Sequence, residues 1–436
     1  MASSIYKKVG IASAIMIASV FLSRVFGVLR EMVIAYLAGT SGSVDAYQFS
    51  FIIPEILNHI AATGFLSITF IPIFSRYLVD RKEEEAWKIF SNILNSFGLG
   101  LLVLIVLFWI SAEWLIGLTG FENADTFAEA VRMTRIIIPA QLLFFAGGIL
   151  MAVQFAKERF LIPALAPLIY NICIIGGGSL LYGRLGMEGF SWGALFGAFV
   201  GNFAIQWFGA RSIGMRWRPV IDFRHAEFKR YILLTLPLIV GLTMTFSVEV
   251  IPKLFGSYLS QGSIASLNYG LRIMFLLVGL LGQAVGTASY PYLSRLAAEN
   301  KIGELNRLLN GTLKRISLVI PCSVLVVVLR EEIVSLIFER GEFDASSTQL
   351  TSNILVFLMI GAFAFSAQTL VNRGYYAVQN TLLPTICVSA VVILTLPLFY
   401  LGMITLQIFG VALALSVTTI AQVIFLVALW NPRSDN

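Results

Sequence analysis

Arg24 and Glu31 stand seven residues apart inside one apolar stretch, which places both on one face of a helix. Arg30 points about a third of a turn away on the same helix. Glu55 and His59 are four residues apart in the next apolar stretch, with Asn58 beside them. Glu249 and Lys253 repeat the four-residue spacing farther along, and Arg272 opens the stretch after that. An ionisable side chain at bilayer depth costs at least ~2.5–3.5 kcal/mol on insertion scales, so it turns toward a cavity or a partner. Arginine suits a phosphate, because its planar fork gives paired hydrogen bonds and keeps its proton. The chemistry expected is non-covalent binding of an anionic, phosphorylated ligand by cationic and polar walls around one central cavity. Each group also has a plainer reading. Arg24 and Arg30 could snorkel to a span end, Glu249 with Lys253 could be a structural pair, and His59 could be a hydrogen-bonded helix residue. Arg272 could mark a headgroup boundary. Arg132 and Arg135, one turn apart, are read as anchors.

The elements that position these groups must lie in lipid. The chain has 436 residues, 58% hydrophobic and 12% charged, with a mean hydropathy of +0.86. Soluble chains are ~45–50% apolar and ~25% charged. That gap excludes a soluble enzyme, a disordered chain and a secreted disulfide scaffold. Cys173, Cys322 and Cys387 sit in or beside apolar runs, an odd set that suits neither disulfides nor zinc. A span takes ~20 apolar residues. The predicted fold is an all-α polytopic membrane protein of about twelve helices. These centre on Met16–Arg30, Phe49–Phe74, Ile89–Ile110, Ile136–Val153, Ile162–Leu181, Trp192–Phe208, Ile232–Leu254, Met274–Tyr290, Ile316–Leu329, Ile354–Ala377, Pro384–Leu401 and Ile408–Trp430. Lys7 and Lys8 before the apolar Val9–Leu22 resemble a signal peptide. The run continues past Arg24 to Tyr36 without a cleavage site, so it is read as a retained first span.

Basic residues test the orientation. With the N-terminus inside, Lys7, Lys8, the 76–88 group, Lys157, Arg159, the 211–230 group, the 295–315 group, Arg373 and Arg433 fall on the cytoplasmic side. They make 21 of the 30 lysines and arginines, against only Arg184, Arg330 and Arg340 opposite. Both termini are therefore expected in the cytoplasm. The net charge of +6 is a topology signal and not a nucleic-acid stripe.

The two halves also match at an offset near 220. Thr69-Phe-Ile-Pro-Ile-Phe-Ser-Arg76 aligns with Ala288-Ser-Tyr-Pro-Tyr-Leu-Ser-Arg295, Ala156–Pro163 aligns with Ala377–Pro384, and Gly189 aligns with Gly410. The expected organisation is a six-helix lobe over 1–210, a basic cytoplasmic linker over 211–230 and a six-helix lobe over 231–436. An even span count per half makes this a parallel repeat, and such transporters bind substrate between their lobes.

Ser23-Arg-Val-Phe-Gly-Val-Leu-Arg30-Glu31, Val44-Asp45-Ala46-Tyr47, Ile53-Pro54 and Gly64-Phe-Leu-Ser-Ile-Thr-Phe-Ile-Pro72 together resemble the MurJ/MviN family. Arg159–Pro167 with Asn171, and Tyr269-Gly-Leu-Arg272 before Gly286, Thr287 and Pro291, extend the likeness over essentially the whole chain. Those proteins are lipid II flippases of the multidrug/oligosaccharidyl-lipid/polysaccharide exporter superfamily. The resemblance implies two lobes that alternate between inward-open and outward-open states around a cationic cavity. The cavity takes the pyrophosphate and sugars of an undecaprenyl-linked precursor in the bacterial cytoplasmic membrane. It places Ser23, Arg24, Arg30, Asp45 and Arg272 at positions that matter, with Glu31 replacing the usual aspartate. Other positions depart from the pattern. Asn58 and His59 stand where a pair of arginines is common, Phe275 and Asn380 replace acids, and Glu249 and Lys253 are atypical. The family commonly carries two further C-terminal spans, so a short twelve-span member is expected.

Three function classes compete. A lipid-linked glycan flippase, for lipid II or for an exopolysaccharide precursor, accounts for the repeat and the intramembrane arginines. A small-molecule antiporter would need buried carboxylates for cationic substrates, whereas arginine dominates here. A membrane enzyme would need a catalytic set in an external loop. The longest external segments carry acids, Glu113 to Glu129 and Glu331 to Asp344, without such a set. No catalytic residue, metal ligand or cofactor motif is expected, and Gly176-Gly-Gly178 reads as helix packing because no Lys-Ser/Thr follows it. The expected partners are a lipid-linked pyrophosphoryl glycan and membrane lipids. A coupling ion is unassigned, no nucleic acid is expected, and the chain is expected to act as a monomer.

Overall fold

The apolar windows are helical in the structure, a computed structural model that describes residues 2–61, 66–240, 246–380 and 382–430. Gly64, Phe65 and Arg433 lie outside the described residues, as do the side chains of Lys7 and Lys8. No strand occurs among the described residues. In lipid every backbone N–H and C=O must find its partner inside the segment, and a helix does this locally. The chain is an all-α polytopic membrane protein.

Its helices form twelve successive runs among the described residues. The first six are Ala2–Ala38; Gly42–Phe49 with Ile52–Ile60 and Leu66–Val79; Glu83–Ile116; Ala124–Ile137 with Ala140–Ala156; Leu161–Leu185; and Glu188–Gly197 continuing through Ala198–Ala204 into Ile205–Ser212. The next four are Ala226–Val240 with Phe246–Val250 and Ile251–Gly256; Ser263–Val278 continuing into Ala284–Ala298; Ile302–Ile316 with Val319–Val328 and Arg330–Phe338; and Ala345–Ala377. Leu382–Trp430 supplies the last two, because non-helical backbone at Gln407 divides it. Seven helical stretches are each long and apolar enough to cross a bilayer. Breaks divide several of the others. At Pro139, which caps Ala140–Ala156, the missing N–H interrupts the ladder.

Two compact units form. The first comprises Met1–Ile34, Phe49–Leu118 and Asn123–Val240, and the second Ala35–Gln48, Thr119–Glu122 and Gly241–Asn436. The end of the first long helix thus packs within the second unit. Glu342 N donates to the Tyr36 carbonyl at 3.0 Å, and the Tyr269 hydroxyl donates to the Gly39 carbonyl at 2.9 Å. Gly39 has a φ of +57°, and a Cβ there would meet the Glu342 carbonyl oxygen at 2.3 Å. The basic segment 211–230 is strapped to the first unit by polar residues of the helix Glu83–Ile116. Asn92 exchanges two hydrogen bonds with the Asp222 backbone, at 2.9 and 2.6 Å. Asn95 donates to the Arg218 and Val220 carbonyls, and Ser91 accepts from Arg218 N.

The internal repeat reaches down to single dihedral angles. Arg81 and Asn300, and Glu158 and Gln379, are non-glycine residues with φ near +57°, spaced 219 and 221 apart. Gly186 (φ 53°, ψ −137°) and Gln407 (φ 54°, ψ −133°) are again 221 apart and turn the chain in the same way. Around those turns, Gly189 approaches Leu181, and Gly410 approaches Gly402. A buried glutamine pair also recurs. Gln154 donates to Gln206 at 3.0 Å in one unit, and Gln368 donates to Gln422 at 2.7 Å in the other. Of the three glycines read from sequence as packing residues, Gly177 and Gly178 are, whereas a Cβ at Gly176 would meet nothing within 4 Å. Added Cβ atoms would lie 2.6 Å from Gly193 Cα and 2.2 Å from the Phe190 ring, the close approach that small residues allow between membrane helices.

Candidate functional site

In the first unit, the helix Ala2–Ala38 carries four of the candidates. Its side chains grade from exposed Arg24 through half-buried Ser23 and Arg30 to Glu31, which is 1% exposed. Arg30 Nη2 donates to Glu31 Oε1 at 2.7 Å, and its Nη1 donates to Asn171 Oδ1 at 3.3 Å. Glu31 thus accepts from its chain neighbour Arg30. Asn171 is itself oriented, since its amide nitrogen donates to the Pro167 carbonyl at 2.9 Å. Two interactions therefore aim one guanidinium within an apolar helix set.

Glu55 and His59 lie one turn apart, with Nε2 3.5 Å from Oε1. Asn58 is half-buried on the same helix, Ile52–Ile60. Tyr170 lies within electrostatic reach of both Arg30 and Glu55, and its ring meets Phe144 edge-on at 5.3 Å. Sequence reading passed over Tyr170, and the only signal was its place beside Asn171.

In the second unit, Glu249 and Lys253 form the ion pair that their spacing predicts, at 3.5 Å, with the Lys253 side chain 11% exposed. Asp45 is buried and takes backbone donors: Gly262 N at 2.6 Å and Ala265 N at 2.7 Å. It caps, across 217 residues of sequence, the start of Ser263–Val278, the helix that carries Arg272. A carboxylate facing unpaired helix N–H groups satisfies donors that nothing inside the helix can reach. Phe275, one turn beyond Arg272, packs edge-on against Phe365 at 5.6 Å. Asn380 Oδ1 accepts from Leu383 N and caps the following helix.

Arg132 and Arg135 pair with Glu188 and Glu113, and Arg135 also lies over the Trp109 ring. These are the contacts of an anchoring role. Among the described residues no group of three or more His, Cys, Asp and Glu could hold a metal ion.

The "Lipid II flippase MurJ" family model matches residues 34–435. A "Probable lipid II flippase MurJ" of Thermotoga maritima is 29% identical over 426 residues, covering 95% of this chain and 84% of that protein. One from Buchnera aphidicola is 26% identical over 409 residues, covering 91% and 79%. A solved structure described as "Lipid II flippase MurJ, inward closed conformation" superposes with a TM-score of 0.83 at 27% identity, covering 95% of this chain and 87% of that one. An inward-facing multidrug MATE transporter shares the fold at a TM-score of 0.79 and 13% identity. With the family match over nearly the whole chain and the helical repeat in place, the chain belongs to the MurJ family of lipid II flippases.

Proposed function

We propose that this chain translocates lipid II, an undecaprenyl-pyrophosphate-linked glycan precursor for peptidoglycan, across the bacterial cytoplasmic membrane by alternating access. The observation that carries the reading is Arg30, held by Glu31 and Asn171 in an apolar helix. Guanidinium is the fork that matches a phosphate, and holding it in place before substrate arrives limits the ordering cost of binding.

Arg30 is the phosphate-binding group of the first unit, with Arg24 and Ser23 nearer its exposed end. Glu31 and Asn171 orient Arg30, while Asn58 and His59 offer hydrogen bonds suited to sugar hydroxyls. In the second unit, Arg272 and Lys253 are the cationic groups. Glu249 steers Lys253, and Asp45 positions the Arg272 helix without itself touching substrate. The basic-rich side of the chain faces the cytoplasm with both termini, and the working unit is one chain. Translocation breaks no covalent bond, so these residues bind and release without catalysis.

Complementation tests the reading. The chain should rescue a strain depleted of its lipid II flippase, and Arg30→Ala or Arg272→Ala should abolish rescue at normal membrane expression. Full rescue by both variants would remove the phosphate role. Failure of the well-expressed parent chain would move the substrate to another lipid-linked glycan.

A further inference from the structure

The helix Ile302–Ile316 has two opposite faces, and both run on into Val319–Val328. Leu305, Leu309, Thr312, Ile316, Val319 and Ser323 alternate by four and three residues and are buried. On the other face Arg307 and Lys314 are exposed, with half-buried Gly311 between them. Leu318, Pro321, Leu325 and Val328 continue that line with the same alternation, and all four are exposed. The line thus changes from cationic to apolar between Lys314 and Leu318. An exposed apolar line on a span meets acyl chains. The polar layer on each side of a bilayer is about 5–7 Å thick. Lys314 and Arg315 precede Leu318 by about 4–6 Å along the axis, which places them at phosphate depth.

Neither cation is neutralised. Lys314 and Arg315 are exposed and form no ion pair among the described residues, while Glu299 pairs with Arg295 and Lys301. Side chains on a helix lean toward its N-terminus, and Lys314 and Arg315 therefore flank Gly311, where a Cβ would meet nothing within 4 Å. The result is an open notch with two cations at its rim. The repeat shows how the same place is filled in the first unit. At the offset of 219 that relates Arg81 to Asn300, Gly311, Lys314 and Arg315 match Asn92, Asn95 and Ser96, which precede exposed Leu99 and Leu102. There the backbone of the segment 218–222 lies over the face, hydrogen-bonded by those three residues. In the second unit cations stand in place of the polar neutral residues, and the face is open among the described residues. A face that takes neutral backbone in one unit is built for an anion in the other.

We propose that Gly311, Lys314 and Arg315 form a headgroup site for an anionic phospholipid, with its phosphate in the notch and an acyl chain along Leu318, Pro321 and Leu325. The cations stand at phosphate depth on a face continuous with the lipid-facing line, and this favours a bilayer lipid over an acidic protein segment. Lipids without net charge gain the apolar contact but less of the electrostatic attraction. The proposal does not depend on the transport reading.

The full chain is placed in nanodiscs of equal phosphatidylglycerol and phosphatidylethanolamine, gently re-extracted, and its retained lipids are counted by intact-complex mass spectrometry. The parent chain should retain phosphatidylglycerol in preference. One cation near an anionic headgroup is worth about fivefold, so Lys314→Gln/Arg315→Gln should lower the ratio of the two retained lipids by at least about tenfold. Arg224→Gln/Lys229→Gln removes the same charge from exposed positions of the first unit and should change the ratio by less than about twofold. Both variants alter exposed side chains alone, and circular dichroism checks that helicity is kept. A parent without preference overturns the proposal. Equal loss in the two variants also overturns it, because the effect would then belong to surface charge in general. A ratio undiminished in Lys314→Gln/Arg315→Gln, with soluble polyglutamate binding the parent but not that variant, would assign the face to an acidic protein segment and overturn the lipid site.

Discussion

Replacing Arg30 by alanine separates two roles that one side chain could play. Arg30 is 16% exposed and Glu31 1% exposed, with 2.7 Å between their charged atoms. Removing one partner of a buried pair leaves the other charge desolvated, at a cost of about 3–5 kcal/mol. At about 2–4 °C per kcal/mol, Arg30→Ala should lower the apparent Tm in detergent by roughly 6–20 °C. The double variant Arg30→Met/Glu31→Leu removes both charges at similar volume and should regain most of that loss, because a volume-matched apolar replacement is close to neutral. Transport should behave differently. If Arg30 grips phosphate, a fluorescent lipid II flipping assay in proteoliposomes should read no activity for the single or the double variant, although the double variant is stable. Arg30→Lys should keep part of the activity, because a point charge remains while the fork is lost. A double variant that flips at the parental rate would refute the phosphate role and leave Arg30 as a partner for Glu31. An unchanged Tm in the single variant would refute the buried-pair reasoning itself.

Three further outcomes follow from the geometry. Gln407→Gly should raise stability, because φ 54°, ψ −133° is a glycine conformation worth about 1–3 kcal/mol of strain for glutamine, and Gly186→Ala should lower stability by a similar amount; thermal unfolding in detergent reads both. Asp45→Ala strips two backbone donors of their acceptor and should cost about 1–3 kcal/mol, seen as faster hydrogen exchange at Gly262 and Ala265, with transport reduced through the Arg272 helix. Asp344 caps the helix Ala345–Ala377, and the Ser347 N–H, aided by the Ser346 hydroxyl, holds its carboxyl below the usual carboxylate range. A depressed carboxyl contributes stability above its unfolded value of ~3.9 and loses it as pH falls through the lower folded value. Protection factors at Ser347 and Thr348, normalised to the intrinsic exchange rate at each pH, should therefore fall on acidification below about pH 4, and Asp344→Asn should show a flatter response while keeping the cap.

Much of this protein was legible in the order of its residues. Spans were legible because burial in lipid demands long apolar runs, and Glu249 with Lys253 because a helix brings i and i+4 together. The repeat was legible in Pro72 and Pro291 and in Gly189 and Gly410, where backbone constraints repeat with the fold. Local rules carry all of these. The matched turns at Gly186 and Gln407 were hidden, because side-chain identity had changed while the backbone conformation had not. The strap of 211–230 was hidden as well, and the segment read as a basic linker. Its one trace was Ser91, Asn92, Asn95 and Ser96 on an otherwise apolar helix.

The sequence by itself determined that the chain lives in lipid, repeats itself and carries a few charges where charge is costly. Those follow from composition and from periods of a few residues. Only the tertiary structure decided what each charge does: that Glu31 pairs with Arg30, that Asp45 caps a helix 217 residues away, and that the stretch Ala35–Gln48 belongs with the second unit. Such pairings depend on which helix ends meet in space. A buried donor or acceptor is satisfied by whatever partner packing brings within about 3 Å, whatever its distance along the chain.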